Sequence, residues 1–109
     1  MAQVVLDCCA LPGNALEAAA RFHADYLPQL AGLLDGAESL VIVMPPAPYD
    51  HADWRRAVAR DLARAHAPRR VNVVGGNDAA ATLEYLARAP GLTGQYLALD
   101  GTGAGDALG

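Results

Sequence analysis

Continuous apolar runs alternate along this chain with stretches in which apolar residues recur every three or four positions. A run without polar alternation does not suit a strand with one face in water, so each run predicts a strand buried on both faces. Parallel strands covered by helices meet this requirement. The predicted strands are residues 4–6, 40–44, 71–74 and 95–99. The order β-α-β-α-β-α-β therefore predicts a three-layer α/β domain with a four-stranded parallel sheet and right-handed crossovers.

The first segment between strands predicts a long, bent helix over residues 15–34. Gly13 and Asn14 mark its start, because asparagine is a favoured residue immediately before a helix. Pro28 lies inside the periodic pattern and cannot donate a hydrogen bond to the carbonyl four residues back. The helix is therefore expected to kink at this proline.

Two further helices are predicted, one over residues 51–66 with Asp50 as its cap and one from Asp78 to about residue 89. The helix over 51–66 has two stripes of opposite character. Its inner stripe is predicted to be Trp54, Val58, Leu62 and Ala65, and its outer stripe Arg56, Arg60 and Arg64. An arginine stripe is usually a solvated helix face, and the alternative is a surface for an acidic partner.

Length and charge limit the classes of partner. The chain has 109 residues, which suits one domain over residues 1–100, followed by a glycine-rich tail over 101–109 that we expect to be flexible. The net charge of −4 argues against nucleic acid and anionic membranes as partners. No apolar run approaches the roughly 20 residues that span a bilayer, and the first residues do not have a signal-peptide pattern. We therefore expect a cytoplasmic protein, in which the adjacent Cys8 and Cys9 are free thiols.

Several stretches carry a family resemblance, in the family's own order. They are residues 54–64 with 67–74, then 80–86, and finally 92–101. The last, L-T-G-Q-Y-L-A-L-D-G, is similar to the closing strand I-T-G-Q-x-L-x-V-D-G of short-chain dehydrogenase/reductase (SDR) enzymes. The chain resembles the C-terminal half of that superfamily, nearest to its 3-ketoacyl reductases or to the degenerate flavodoxin-like N-terminal domain of large ketoacyl reductases. The resemblance implies a Rossmann-like or flavodoxin-like sheet.

The residues that the resemblance implies for catalysis are missing. SDR enzymes use a tyrosine as general acid, a lysine four residues later and a serine upstream. The tyrosine candidate is Tyr49, but Asp53 stands four residues later and the chain contains no lysine. A carboxylate disfavours the phenolate that a lysine would favour. Ser39 is the only serine and lies at the entrance of a strand. We therefore expect no catalytic residues, with Tyr49 and Asp53 at the degenerate position of a pseudoenzyme.

The dinucleotide cradle is also missing from the sequence pattern. NADP(H) binding needs a glycine-rich turn between a strand and a helix, and no such turn follows residues 4–6. The candidates for a cofactor contact are Gly75, Gly76 and Asn77, for which a tight strand-to-helix turn is the alternative interpretation. We expect no cofactor on the chain alone, and NADP(H) only if a partner chain completes the site. The three histidines lack metal-ligand spacing, so no metal site is expected.

Three functional hypotheses follow. The first is a non-catalytic, ketoacyl-reductase-like accessory subunit that forms a homodimer, or a heterodimer with a complete SDR. The resemblance implies dimerisation through the helices over 15–34 and 51–66, with the interface candidates Tyr26, Leu30, Trp54, Arg56, Arg60 and Arg64. The arginines could also receive an acyl carrier protein. The second hypothesis is an oxidoreductase fragment that is active only with a partner chain. The third is a small-ligand or acyl-binding module at the carboxyl ends of the strands, near Met44, Gly75 and Tyr49.

Overall fold

The computed structural model describes residues 3–99, which form one α/β unit. The strands are β1 (Gln3–Asp7), β2 (Ser39–Met44), β3 (Arg70–Gly75) and β4 (Tyr96–Ala98). The helices are α1 (Ala15–Arg21), α2 (Leu30–Leu34), α3 (Ala52–His66) and α4 (Ala80–Ala87). A π-helical turn (Phe22–Tyr26) and a 3₁₀ turn (Leu27–Gln29) join α1 to α2, and another 3₁₀ turn (Tyr49–His51) precedes α3.

The four strands form one sheet in which every neighbouring pair is parallel, in the order β1-β2-β3-β4. The prediction of a four-stranded parallel sheet is confirmed. Each strand pairs with its neighbour in the sequence, so β2 and β3 lie in the middle and β1 has one free edge among the described residues. The apolar runs explain this arrangement, because the central strands β2 and β3 are buried along nearly their whole length.

Side chains of β2 alternate between two separate cores. Leu40, Ile42 and Met44 pack with residues of α2 and α3, whereas Val41 packs with Leu86 of α4. The sheet is therefore covered on both faces, as the three-layer prediction requires. Three right-handed crossovers through a sheet in sequential order would put every helix on the same face. The expectation of right-handed crossovers throughout is wrong, because the β3–α4–β4 connection has the hand opposite to that of the two before it.

The segment over residues 15–34 follows one helical path but changes its hydrogen-bonding type along the way. Asn14 caps α1 by accepting a hydrogen bond from the backbone N–H of Glu17 at 3.1 Å. Pro28 lies in the 3₁₀ turn, where its missing N–H is not required. The predicted interruption at Pro28 is therefore confirmed, and it takes the form of a π-helical and a 3₁₀ turn between two short α-helices.

Three details of the other helices differ from prediction. Asp50 does not cap α3, because it lies within a 3₁₀ turn and the cap position is taken by His51, which makes no side-chain cap hydrogen bond. Asp78 does not cap α4, because α4 begins two residues later, after Ala79. Ala65 is exposed and does not belong to the inner stripe of α3.

Among the described residues, none of the helices has the length and apolar character needed to cross a bilayer. The predicted flexible tail over 101–109 lies outside the described residues.

We expect the Gly76→Ala substitution to destabilise the fold by about 3 kcal/mol, because backbone strain and a steric clash add together. Gly76 has a φ of +139°, and an added Cβ would lie 2.7 Å from the backbone oxygen of Leu99. The measurement is urea unfolding followed by circular dichroism. The control is Gly91→Ala, because nothing lies within 4 Å of a Cβ at position 91. Equal stability of the two variants would contradict this account.

Candidate functional site

The carboxyl ends of the parallel strands meet at one edge of the sheet, where ligands bind in most α/β proteins. Three loops leave from this edge among the described residues. Cys8 and Cys9 follow β1, a proline-rich loop over 45–48 follows β2, and Gly76 begins the loop after β3. The first turn of α3 closes over the same edge, because its Arg55 side chain reaches back to the loop after β2.

Arg55 is the most unusual residue at this edge, because its side chain is charged and yet only 1% of the residue is exposed. Its Nη1 donates to the backbone oxygen of Pro45 at 3.0 Å and to the hydroxyl of Tyr96 at 3.3 Å. The guanidinium carbon lies 5.6 Å from the centre of the Trp54 ring and 5.9 Å from that of the Tyr96 ring. Arg55 therefore connects α3, the loop after β2 and strand β4 through neutral acceptors and aromatic faces.

Space for this guanidinium comes from Gly75 at the end of β3. A Cβ at position 75 would lie 2.6 Å from Arg55 Nη1 and 2.7 Å from the Tyr96 hydroxyl oxygen. Both Gly75 and Gly76 are buried, and Gly76 is closed over by Leu99. Packing thus accounts for the two glycines that the sequence suggested as cofactor contacts, and Asn77 beside them is exposed.

His51 fixes the wall of the site next to Arg55. The residue is buried, its Nδ1 accepts a hydrogen bond from the Trp54 indole N–H at 3.2 Å, and its Nε2 lies 2.9 Å from the backbone oxygen of Gly13. Because Nδ1 is the acceptor, Nε2 carries the hydrogen and donates it to Gly13. His51 therefore ties the loop after β1 to the start of α3.

The two cysteines after β1 lie in opposite environments. Cys8 is completely buried, whereas Cys9 is exposed. Burial raises the pKa of the Cys8 thiol from 9.0 to about 12, with smaller increases from Asp7 and Cys9 and an opposing effect from Arg55. Both cysteines are free thiols, as predicted, and Cys8 remains protonated at neutral pH.

Two cavities lined by residues of the described range 3–99 open at this edge of the sheet. One of about 140 Å³ lies among the proline-rich loop, the loop after β1, His51 and Arg55. The other, of about 350 Å³, is lined by residues that include Asp7, Asn77 and Asp78.

The larger cavity does not fit the pyrophosphate of a dinucleotide. Two carboxylates line it and no arginine does, so a phosphate would meet like charges. The loop between β1 and α1 does not cradle an anion either, because the Asn14 side chain occupies the start of α1. Among residues 3–99, no group of three or more histidine, cysteine or acidic side chains is arranged to hold a metal ion.

Tyr49 and Asp53, the residues at the degenerate catalytic position, are both exposed to solvent. Tyr49 is 93% exposed on the 3₁₀ turn. The Asp53 side chain is fully exposed and lies 4.0 Å from Arg56 Nη1. Neither side chain lines a cavity at the strand ends.

The interface candidates fall into three groups. Leu30 is a correction, because it is only 2% exposed and belongs to the core, where no partner could touch it. Tyr26 and Trp54 are half-buried, and their rings pack on Phe22 at centroid distances of 6.3 and 5.9 Å. An apolar groove of about 210 Å³ opens beside them, with Leu27 and Leu62 in its lining.

The arginine stripe of α3 is partly neutralised within its own helix. Arg56 is close to Asp53, and Arg64 is paired with Asp61. Arg60 and Arg64 are exposed and Arg56 is partly exposed, as the outer-stripe prediction requires. The stripe is therefore a mixed-charge surface, which is less suited to an acidic protein than three free arginines would be.

Sequence reasoning missed Arg55, although a signal for it was present. Arg55, Val58, Ala59 and Leu62 follow the spacing of one helix face, and this face packs on the sheet. Arginine is normally exposed, so the sequence pattern predicts an inner stripe of α3 that begins at Trp54 and omits Arg55. Arg55 is therefore buried against the sheet, whereas the adjacent Arg56 lies on the outer face of α3.

Comparison with known proteins agrees with the fold. A family model described as SDR-like, short chain dehydrogenase-like protein, matches residues 6–99. Neither the curated proteins nor the solved structures contain a significant match.

We expect only one of the two thiols to react readily with a chromogenic disulfide reagent at neutral pH in the folded protein. Cys9 is exposed, whereas Cys8 is buried with a raised pKa and so forms almost no thiolate. Both thiols should react after unfolding in guanidinium. The Cys9→Ser variant should show no fast reaction while folded. Two thiols of equal rate in the folded protein would contradict the described position of Cys8.

Proposed function

Because this chain belongs to the SDR-like family of short chain dehydrogenase-like proteins, we propose that it works without catalysis, by association, as a two-fold symmetric dimer. The observation that carries this proposal is the outer face of α3. This face has a carboxylate at its start, a small residue near its centre and arginines at its end. Such a face is complementary to a second copy of itself.

Two observations support a non-catalytic role. Tyr49 is 93% exposed, and the residue four positions later is the carboxylate Asp53. A phenol that faces water without a neighbouring lysine has no group that would make it an efficient proton donor. The larger cavity at the strand ends is lined by two carboxylates, those of Asp7 and Asp78, which would repel the phosphates of a dinucleotide.

Helical spacing puts Asp53, Ala57, Arg60 and Arg64 on one strip of α3. Ala57 and the two arginines are exposed, so the strip is open to a partner. When two copies of α3 pack antiparallel around a two-fold axis between Ala57 and Arg60, Asp53 of each faces Arg64 of the other. Ala57 then meets the aliphatic part of the Arg60 side chain. The same contacts occur twice, as two-fold symmetry requires.

The apolar groove beside this strip extends the surface. Its lining includes Phe22, Leu27, Trp54 and Leu62. Phe22 is already buried, but Leu27, Trp54 and Leu62 are partly exposed. A partner helix packed on the strip would exclude water from these three side chains, which adds a hydrophobic contribution to the charge pairing. One helix face is a small interface, so we expect a dissociation constant in the micromolar range.

The Ala57→Arg substitution is expected to convert the dimer into a monomer. The new arginine would meet Arg60 of the second copy, and the central contact would be lost to both bulk and like charge. The measurement is size-exclusion chromatography with light scattering over a range of micromolar concentrations. The control is Ala81→Arg on α4, since Ala81 is also an exposed helical alanine. A wild-type monomer throughout that range would refute the proposed dimer.

Charge reversal tests the pairing itself. Arg64→Asp should weaken the dimer roughly tenfold, because two symmetric contacts of about 0.5–1 kcal/mol are lost. The second substitution Asp53→Arg should restore the affinity in the double variant. A restored dimer affinity would show that residues 53 and 64 of different copies are in contact. Loss of the Arg64–Asp61 pair within one helix would not be repaired by a change at position 53.

The non-catalytic part is tested by calorimetry with NADPH. We expect no binding heat from the wild-type protein, because carboxylates line the cavity at the strand ends. The same titration with an active ketoacyl reductase serves as the positive control. NADPH binding by this chain alone would overturn that part of the proposal and leave the dimer untouched.

One observation favours a second candidate function, an oxidoreductase fragment completed by a complete SDR chain. Strand β1 pairs only with β2 among the described residues, and its Val5 is 42% exposed. A free parallel edge next to an exposed apolar side chain is a place where another sheet can continue. NADPH binding by a mixture with an SDR enzyme encoded beside this chain, together with a wild-type monomer alone, would favour this candidate.

A further inference from the structure

We propose that the cavity at Arg55 binds a small carboxylic acid, whose carboxylate pairs with the Arg55 guanidinium and whose short apolar chain lies against the proline-rich loop. This site is separate from the α3 strip and does not depend on dimerisation. The proposal rests on the charge of Arg55, on its unused hydrogen-bond donors and on the chemistry of the cavity walls.

The charge of Arg55 has no counterpart among residues 3–99. A guanidinium is always protonated in proteins, and this one is only 1% exposed. The ion pairs that involve described arginines are formed by Arg21, Arg56 and Arg64. Cys8, the buried thiol that follows β1, is not a counter-ion, because its raised pKa of about 12 keeps it neutral. An unpaired buried charge is costly, and a bound anion removes that cost.

The hydrogen bonds of Arg55 leave one edge of its guanidinium open. Both of its hydrogen bonds to protein atoms come from Nη1. Its Nε is buried and has no acceptor among the described residues. Nε and Nη2 thus have no protein acceptor among the described residues, and Arg55 lines the cavity. Two parallel N–H donors are the arrangement that a carboxylate accepts best.

The residues that line the cavity determine which chemical groups the ligand can carry beside its carboxylate. They include Leu11, Pro12, Pro45, Pro46 and Pro48, which are apolar side chains, and no acidic residue. Proline also lacks a backbone N–H, so these walls offer few donors to a highly charged anion such as phosphate. A carboxylate with an aliphatic chain satisfies both the guanidinium and the walls.

Volume limits the length of the chain. The cavity measures about 140 Å³. An apolar cavity of roughly 150 Å³ holds a molecule the size of benzene, so about six non-hydrogen atoms is the upper limit. His51 keeps the wall in place through its two hydrogen bonds and has no ring nitrogen left for the ligand.

The experiment uses propionate as the probe and propionamide, of similar shape but without charge, as its comparison. Propionate should raise the melting temperature of the protein in a saturable way, because a ligand bound only to the folded state stabilises it. Propionamide and sodium chloride at equal ionic strength should not. Equal shifts from propionate and chloride would mean a general salt effect and would overturn the proposal.

Two variants place the effect in this cavity. Ala47→Leu fills the space while Arg55 stays intact, and it should abolish the propionate shift, whereas Ala81→Leu on α4 should retain it. Arg55→Met should also abolish the shift, and Ala47→Leu alone decides the matter if that variant does not fold. An unchanged propionate shift in Ala47→Leu would overturn the site. The Ala57→Arg variant should keep the full shift, so failure of the dimer and failure of this site give different results.

Discussion

Burial of two strands on both faces is the constraint on which this structure depends. β2 and β3 contribute side chains to a core with α2 and α3 on one face and to a core with α4 on the other. Neither strand has a polar face that could be exposed to solvent, so the sheet must be covered by helices on both faces. Because the strands follow one another in order across the sheet, this condition requires at least one change of hand among the crossovers, and here it occurs at the last one, through α4.

Arg55 is a charged side chain buried within this apolar structure, and its hydrogen bonds connect several segments at the carboxyl edge of the sheet. It requires a glycine at position 75 for space, a hydroxyl from Tyr96 and a carbonyl from Pro45 for its donors, and the Trp54 ring against its face. Besides the neighbouring Trp54, three parts of the chain that are distant in sequence therefore contact this one side chain. A methionine would fill similar space without these demands, which is why the charge itself points to a ligand.

The sheet could be predicted from the sequence because it follows from local patterns. The apolar run over residues 40–44 gave β2 to within one residue, and the early helix was found from Asn14 and interrupted at Pro28 as expected. The errors share a different cause. Asp50 and Asp78 are good helix caps by residue type, but the chain enters α3 and α4 through turns that place other residues there.

The candidate site was harder to predict, for two reasons. Tertiary contacts bury Arg55, and no local pattern indicates that this arginine will lie against the Tyr96 ring of strand β4. Gly75 and Gly76 suggested a phosphate turn, but their small size serves Arg55 and Leu99. Leu30 was expected at an interface because the resemblance implied dimerisation through its helix, but the side chain lies in the core of this unit.

The sequential strand order also has a kinetic consequence. Every strand is hydrogen-bonded to the strand that precedes or follows it in the chain, so no pairing has to wait for a distant segment. Each parallel pairing therefore requires the closure of only one crossover, and a crossover of this moderate length closes at little entropic cost.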